Sequence, residues 1–286
     1  MKDTLLDLSG KIDELTLGLY EALDGATVSG GVPFFLVGAT ARDMILARGY
    51  GVPIKRATLD VDIGLRVADW QQFERLKQSL LDTNEFNATR DIKRIRYREQ
   101  IWVDIIPFGP VEGGTRAIKW PPDQAVMMSV AGFEEAYRSA QQVRLRVDPP
   151  LDIRVATPAG LTLLKIAAWG DRRSNRDARD LAHIITTYLD AGNLDRLMED
   201  HSDLLGNFDY VRAGARLLGR DIGHIAEADT KERIAAILEA ETADRSHYKL
   251  VRQMMLSSSL SEEEGEKSFE DNLTLLLELK TGIQES

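Results

Sequence analysis

Apolar residues open the chain at helical spacing. Leu5, Leu8, Ile12, Leu15, Leu19 and Leu23 fall three or four apart, which predicts an amphipathic helix over 4–23 ended by Gly25. Pro33 to Val37 is a short unbroken apolar run, the mark of a buried strand, and Gly38 closes it. Thr40 to Arg48 returns to a helical pattern and stops at Gly49-Tyr50-Gly51. Thr58 to Val67 alternates and is rich in Val, Ile and Leu, which predicts a second strand. Asp69 is placed to cap a helix that carries Trp70, Phe73, Leu76, Leu80 and Leu81 on one face. Ile92, Ile95 and Tyr97 give Phe86 to Arg98 the pattern of a strand or hairpin. In Gln100 to Phe108 the run Ile101, Trp102, Val103, Ile105, Ile106 predicts a strand covered on both faces. Beyond it the pattern supports a short helix near Phe133–Ala140 and strands near Val143–Val147 and Asp152–Val155.

The texture changes at Thr157-Pro158, where a capping Thr precedes a Pro at the first helical position. From there helical patterns run over roughly 158–169, 175–190, 193–204, 209–218, 230–256 and 261–281, punctuated by Gly170, Gly192 and Gly206, with Ser257-Ser258-Ser259 as a linker. The expected boundary lies near residue 156. The fold class is therefore an α/β (α+β) N-terminal domain with a mixed sheet, followed by an all-helical C-terminal domain.

Composition narrows the function. The chain has 286 residues, 43% apolar and 29% charged, enough to bury a core and too apolar for disorder throughout. The absence of cysteine excludes a disulfide framework, a Cys-ligated zinc and a Cys nucleophile. The start, Met1-Lys2-Asp3-Thr4, lacks the shape of a signal peptide and no apolar run is long enough to span a bilayer, so the expected setting is cytoplasmic with no membrane partner. A net charge of −10 argues against general polyanion coating. Two basic stretches run the other way, Arg90, Lys93, Arg94, Arg96, Arg98 and Arg154, Lys165, Arg172, Arg173, Arg176, Arg179. Local basic patches on an acidic body suit a specific anionic ligand.

Thr58-Leu59-Asp60-Val61-Asp62-Ile63-Gly64 is the sharpest candidate. Alternate residues of a strand share a face, so Asp60 and Asp62 project together, and two adjacent carboxylates are relieved by a divalent cation. Taken alone the triplet also fits a solvated turn or a strand edge. Asp104 lies inside the apolar Ile101–Ile106 run, where a charge is costly unless paired or metal-bound. It is a third carboxylate for Mg²⁺ (or Mn²⁺) if its strand lies beside the first, and otherwise the partner of one of Arg90–Arg98. Gly38, Ala39 and Thr40 form a strand-to-helix turn whose N–H groups and hydroxyl can face a phosphate. Lys165, in an otherwise apolar helix, either reaches the surface or meets a buried anion. Asp177 stands three residues after Ser174, as in a capping box, yet shares a helical face with Leu181, Ile184 and Tyr188, while Asp180 is one turn from Arg176. His183, His201, His224 and His247 are scattered without metal-ligand spacing.

Glycine turn, Asp-x-Asp strand, later strand Asp, then a helical Lys and Arg-Asp-x-x-Asp-Leu: this order resembles the DNA polymerase β-like nucleotidyltransferases. More narrowly, over Phe34 to Tyr188, it resembles the AbiEii-type group, whose best-known members are toxins of type IV toxin–antitoxin pairs. The resemblance implies a nucleotidyltransferase catalytic domain over 1–156 and a helical domain over 157–286 that completes the nucleotide or acceptor site. It implies Mg²⁺ on Asp60, Asp62 and Asp104, with Asp104 deprotonating or orienting the acceptor. Gly38, Ala39 and Thr40 would cradle the triphosphate of an NTP substrate, with Arg42 beside them. Lys165 would grip a phosphate, and Asp177 or Asp180 would support the nucleotide. Gly38-Ala39-Thr40 departs from the usual Gly-Gly or Gly-Ser, and Arg42-Asp43 is like the CCA-adding enzymes, whose remaining signature is absent. The implied acceptor is a tRNA end or a protein, with a cognate antitoxin as partner. The alternatives are an aminoglycoside-type transferase and a nucleotide-binding regulatory protein without turnover.

Overall fold

The computed structural model describes residues 5–53, 60–206, 209–243, 248–255 and 262–286. Thr4, the strand residues Thr58 and Leu59, residues 244–247 and 256 of the expected long helix, the serine linker and residue 261 lie outside them. The chain divides into two compact units, Met1–Thr157 and Pro158–Ser286.

The first unit opens on β1 (Leu6–Asp7), not on a helix. Ser9–Gly10 turns the chain, and α1 (Glu14–Gly30) starts only where the Asp13 carboxylate accepts from the Thr16 N–H at 3.0 Å. The leucine spacing over 5–12 therefore spans a strand and a turn, and α1 runs through Gly25 to its cap at Gly31. Next come β2 (Phe34–Val37) and α2 (Gly38–Asp43), whose last turn widens into a π-helical segment over Met44–Gly49. They are followed by β3 (Asp60–Arg66), α3 (Trp70–Asp82), β4 (Phe86–Ala88), β5 (Arg94–Tyr97) and β6 (Ile101–Phe108). Asp69 caps α3 as expected, accepting from the Gln72 N–H at 2.7 Å. A small hairpin, β7 (Ala117–Lys119) with β8 (Met127–Ser129), stands where the sequence pattern gave no element. Then α4 (Phe133–Arg138), β9 (Gln141–Arg146) and β10 (Leu151–Val155) complete the unit.

The main sheet is mixed, in the order β1-β9-β10-β2-β3-β6-β5-β4. Its two faces differ. Val61, Ile63, Leu65, Val103, Ile105, Ile95 and Tyr97 lie on one face and are all buried. There α1 packs closely enough that Gly18 faces the Tyr97 hydroxyl. The other face is apolar only at one end, where Phe35 meets Phe108 and the α4 rings of Phe133 and Tyr137 at 5.5–6.2 Å. At its other end Asp60, Asp62, Trp102 and Asp104 are part-exposed. The expected double-sided cover of β6 is thus corrected. Every second residue of the strand, starting at Trp102, is left toward solvent until Phe108.

The second unit is helical: α5 (Pro158–Arg172), α6 (Asn175–Thr186), α7 (Leu194–Asp200), α8 (Tyr210–Ile225), α9 (Ala228–Thr242), α10 (Lys249–Met254) and α11 (Glu262–Gln284). Gly170 does not end α5. A helix tolerates a glycine at about 1 kcal/mol, and here the missing side chain makes room for Ile237, whose Cγ1 lies 3.2 Å from where a Cβ would stand. The expected helix over 230–256 is two helices, α9 and α10. Among the described residues no helix is long and apolar enough to cross a membrane.

Candidate active site

Strand register assembles the carboxylates. β3 and β6 run parallel with Asp62 directly opposite Asp104, and Asp60 opposite Trp102. Adjacent strands lie about 4.8 Å apart, so the three carboxylates rise from one small patch of one face. β5 adds a cation to each row, because it pairs with β6 to place Arg94 opposite Asp104 and Arg96 opposite Trp102. Arg94 donates from Nε to Asp104 Oδ1 at 2.5 Å and from Nη2 to Oδ2 at 2.7 Å, and Nη2 stands 3.5 Å from Asp60 Oδ2. Such a two-pronged pair is the strong form of an Arg–carboxylate contact. The guanidinium is held firmly charged, chiefly by the Asp104 hydrogen bonds, with the Asp104 and Asp60 charges adding to them against the cost of burial. Arg94 and Arg96 both lie over the Trp102 ring, at 5.5 and 4.8 Å from its centre.

The glycine turn closes over Asp62. Val37 is the cross-strand partner of Asp62, so the chain leaves β2 right beside that carboxylate. Gly38 takes φ +69°, and a side chain there would collide with Asp62 Oδ2 and come within 2.8 Å of its Cγ. The Thr40 hydroxyl, expected to face a phosphate, donates instead to the Asp60 carbonyl at 2.8 Å and ties α2 to β3. Arg42 is buried, with Nη2 2.6 Å from the Asp43 carboxylate.

The remaining candidates form a second cluster inside the helical unit. Lys165 of α5 meets two buried anions of α6, donating to Asp180 Oδ2 at 2.6 Å and Asp177 Oδ1 at 3.2 Å. Arg172 holds Asp177 from the other side, at 2.5 and 2.6 Å. Asp177 is completely buried and faces these cations, while Ser174 caps the helix through the Arg176 N–H. Burial alone would raise its carboxyl pKa, but the Arg172 hydrogen bonds and the charges of Lys165 and Arg172 outweigh it and hold the group below the ordinary range.

Lys165→Met takes a cation away from two buried carboxylates, Asp180 and Asp177. The expected cost is about 3 kcal/mol, read as a lower midpoint in urea. The pH dependence has a definite sign. Since folding depresses the Asp177 pKa, its contribution is complete above the unfolded value of about 3.9 and is lost as pH falls below it. Asp177→Asn should therefore melt well below the parent at pH 7, with the gap closing toward pH 3.

The sequence leaves the partner of Asp104 open among Arg90–Arg98, gives Trp102 no role, and marks Arg96 and Arg172 only as members of basic stretches. Alternation along β5 and β6 carries the signal for Trp102 and Arg96, and the Asp177-facing turn of α5 for Arg172. Among the described residues no group of three or more His, Asp or Glu side chains is arranged to hold a metal ion as it stands.

A family model described as the nucleotidyl transferase AbiEii toxin of a type IV TA system matches residues 21–274. Curated proteins include no match. Among solved structures, the antibiotic-resistance factor ANT(2'')-Ia is similar at 10% identity and a TM-score of 0.38, over 68% of this chain and 96% of that one. A CCA-adding enzyme with ATP is similar at 14% identity and 0.33, over 92% and 67%. The Elizabethkingia meningoseptica cyclic dinucleotide synthase CdnE with GTP and Apcpp is similar at 12% and 0.28, over 96% and 93%.

Proposed function

This chain belongs to the AbiEii nucleotidyl transferase family, and from that premise we propose that it moves a nucleoside monophosphate from an NTP to a hydroxyl of an RNA end, such as that of a tRNA. The single observation that carries this reading is the convergence of Asp60, Asp62 and Asp104 on one face beside the glycine turn.

The donors fit a hard divalent cation in kind, because all three are carboxylates and Mg²⁺ takes oxygen ligands. Asp60, Asp62 and Asp104 would hold it, and once bound it would supply positive charge to the transferring phosphate. In the transfer, the acceptor hydroxyl gives up its proton to a nearby carboxylate or to water, its oxygen bonds to the α-phosphorus, the bond from that phosphorus to the bridging oxygen breaks, and pyrophosphate leaves. Asp104, once released by Arg94, would orient the attacking hydroxyl through an Oδ atom. Gly38 lets the N–H groups of the turn approach the triphosphate without a side chain between. Trp102 and Arg96 continue the row of Asp60 across β6 and β5, and Arg94 continues the row of Asp62 and Asp104. A planar ring with two cations suits the bases and phosphates of a single-stranded end, which is what favours RNA over a protein side chain as acceptor. The family description supports a further role as a toxin with a cognate antitoxin.

The test is incubation of the full chain with each α-labelled NTP, Mg²⁺ and separate RNA and protein extracts. Label in RNA with one NTP preferred is expected. Label in protein alone would replace the acceptor, and label in neither would remove the reading.

A further inference from the structure

We propose that Arg94 is a tethered counter-ion of the carboxylate patch, one that has to release Asp104 before a divalent cation can be held there, with the Trp102 ring as the seat it turns to. The inference rests on the nucleotidyl-transfer reading above and adds a positioning residue to it.

Three carboxylates on neighbouring strand positions repel one another, and something must offset that repulsion before substrate arrives. In this chain the guanidinium of Arg94 contributes to that offset, covering both oxygens of Asp104 and reaching Asp60 Oδ2 at 3.5 Å. The pair is sheltered, with Asp104 only 16% exposed and Arg94 30%, so water screens it less than a surface ion pair. A cation ligated by Asp104 needs an oxygen aimed at it from about 2.0–2.1 Å. A guanidinium hydrogen-bonded to the same two oxygens would then face that cation as a like charge at close range. One positive group must yield, and only the tethered one can stay nearby after yielding. The Trp102 ring already lies 5.5 Å from the Arg94 guanidinium carbon, so the charge keeps a cation–π partner when it turns away. Arg96, 4.8 Å over the same ring and paired with Glu99, lends that ring a fixed place. Arg94 acts through Asp104 and is a positioning residue. A purely structural salt bridge would have the opposite consequence for metal binding, because its loss would loosen the patch.

The experiment is Mn²⁺ titration of the full chain, with free Mn²⁺ read by its paramagnetic resonance signal, for the parent, Arg94→Gln, Arg94→Lys and Asp60→Asn with Asp62→Asn. Removing a competing charge-assisted pair should tighten Mn²⁺ binding by at least about tenfold in R94Q. R94K keeps the charge but loses the fork, and should tighten it by a smaller factor; it serves if R94Q fails to fold by circular dichroism. In the parent, Mg²⁺ should also change tryptophan emission, and neither Trp102→Phe nor R94Q should show that change. Folded R94Q or R94K with parental or weaker Mn²⁺ affinity would overturn the inference and leave nucleotidyl transfer standing. No Mn²⁺ binding in any variant, the parent included, would overturn it together with the metal part of the proposed reaction.

Discussion

Replacing Asp60 and Asp62 together with asparagine should lower label transfer from NTP by at least about 10³-fold while leaving the fold intact. The magnitude follows from removing fixed negative ligands at the point where charge develops on the transferring phosphate, where even a single lost electrostatic contact costs about 10²–10³. Both residues are part-exposed on the open end of the sheet face, and their neighbours Val61 and Ile63, which carry the packing, are untouched. Losing two like charges beside Asp104 also relieves repulsion. The melting temperature should therefore stay level or rise. Inactive protein with an unchanged or higher melting temperature is the expected pair of results. A variant that is inactive because it is unfolded would show instead that the two carboxylates serve the fold.

The next largest effect is expected at Gly38. An alanine there meets two obstacles at once. The backbone angle of +69° is one that side-chain-bearing residues rarely adopt, and the new methyl would press on the Asp62 carboxylate. Strain of the first kind costs about 1–3 kcal/mol. The second forces Asp62 off its place opposite Asp104, and a displacement of the order of 1 Å at a reacting centre can cost about 10²-fold in rate. G38A should therefore be both less stable in urea and about 10²-fold slower. Thr40→Val removes only the hydroxyl that ties α2 to the Asp60 carbonyl and should fall well short of either effect, at about 1 kcal/mol. If G38A transferred label at the parental rate, the turn would have no part in placing Asp62.

Much of this site is legible in the sequence because strands alternate. Asp60 and Asp62 had to share a face once β3 was recognised, and a lone acidic residue in the apolar run of β6 had to be paired or bound. The two-unit organisation is marked by Thr157-Pro158, whose capping chemistry needs no tertiary context. Other features depend on context the chain does not spell out locally. Leu5, Leu8 and Ile12 keep helical spacing, yet β1 pairs with β9 far along the chain, and that pairing overrides the local pattern. The Arg94–Asp104 pair depends on the register of β5 against β6. That register is set by the turn at Tyr97–Gln100, where Arg98 and Glu99 both take positive φ without a Gly or Asn to announce it. In the helical unit, Lys165 could be read as a misfit in an apolar helix. That its anions are Asp177 and Asp180, with Arg172 closing the cluster, follows only from how α5 and α6 pack.

We propose that carboxylates from β3 and β6 form one centre that transfers a nucleoside monophosphate. Parallel reactions with α-labelled and γ-labelled NTP test it most directly, run on the parent chain and on the Asp60, Asp62 double variant. The α-label should enter the acceptor, the γ-label should leave as pyrophosphate, and the double variant should do neither. Label from the γ-phosphate in the acceptor, or equal transfer of the α-label by the double variant, would contradict it.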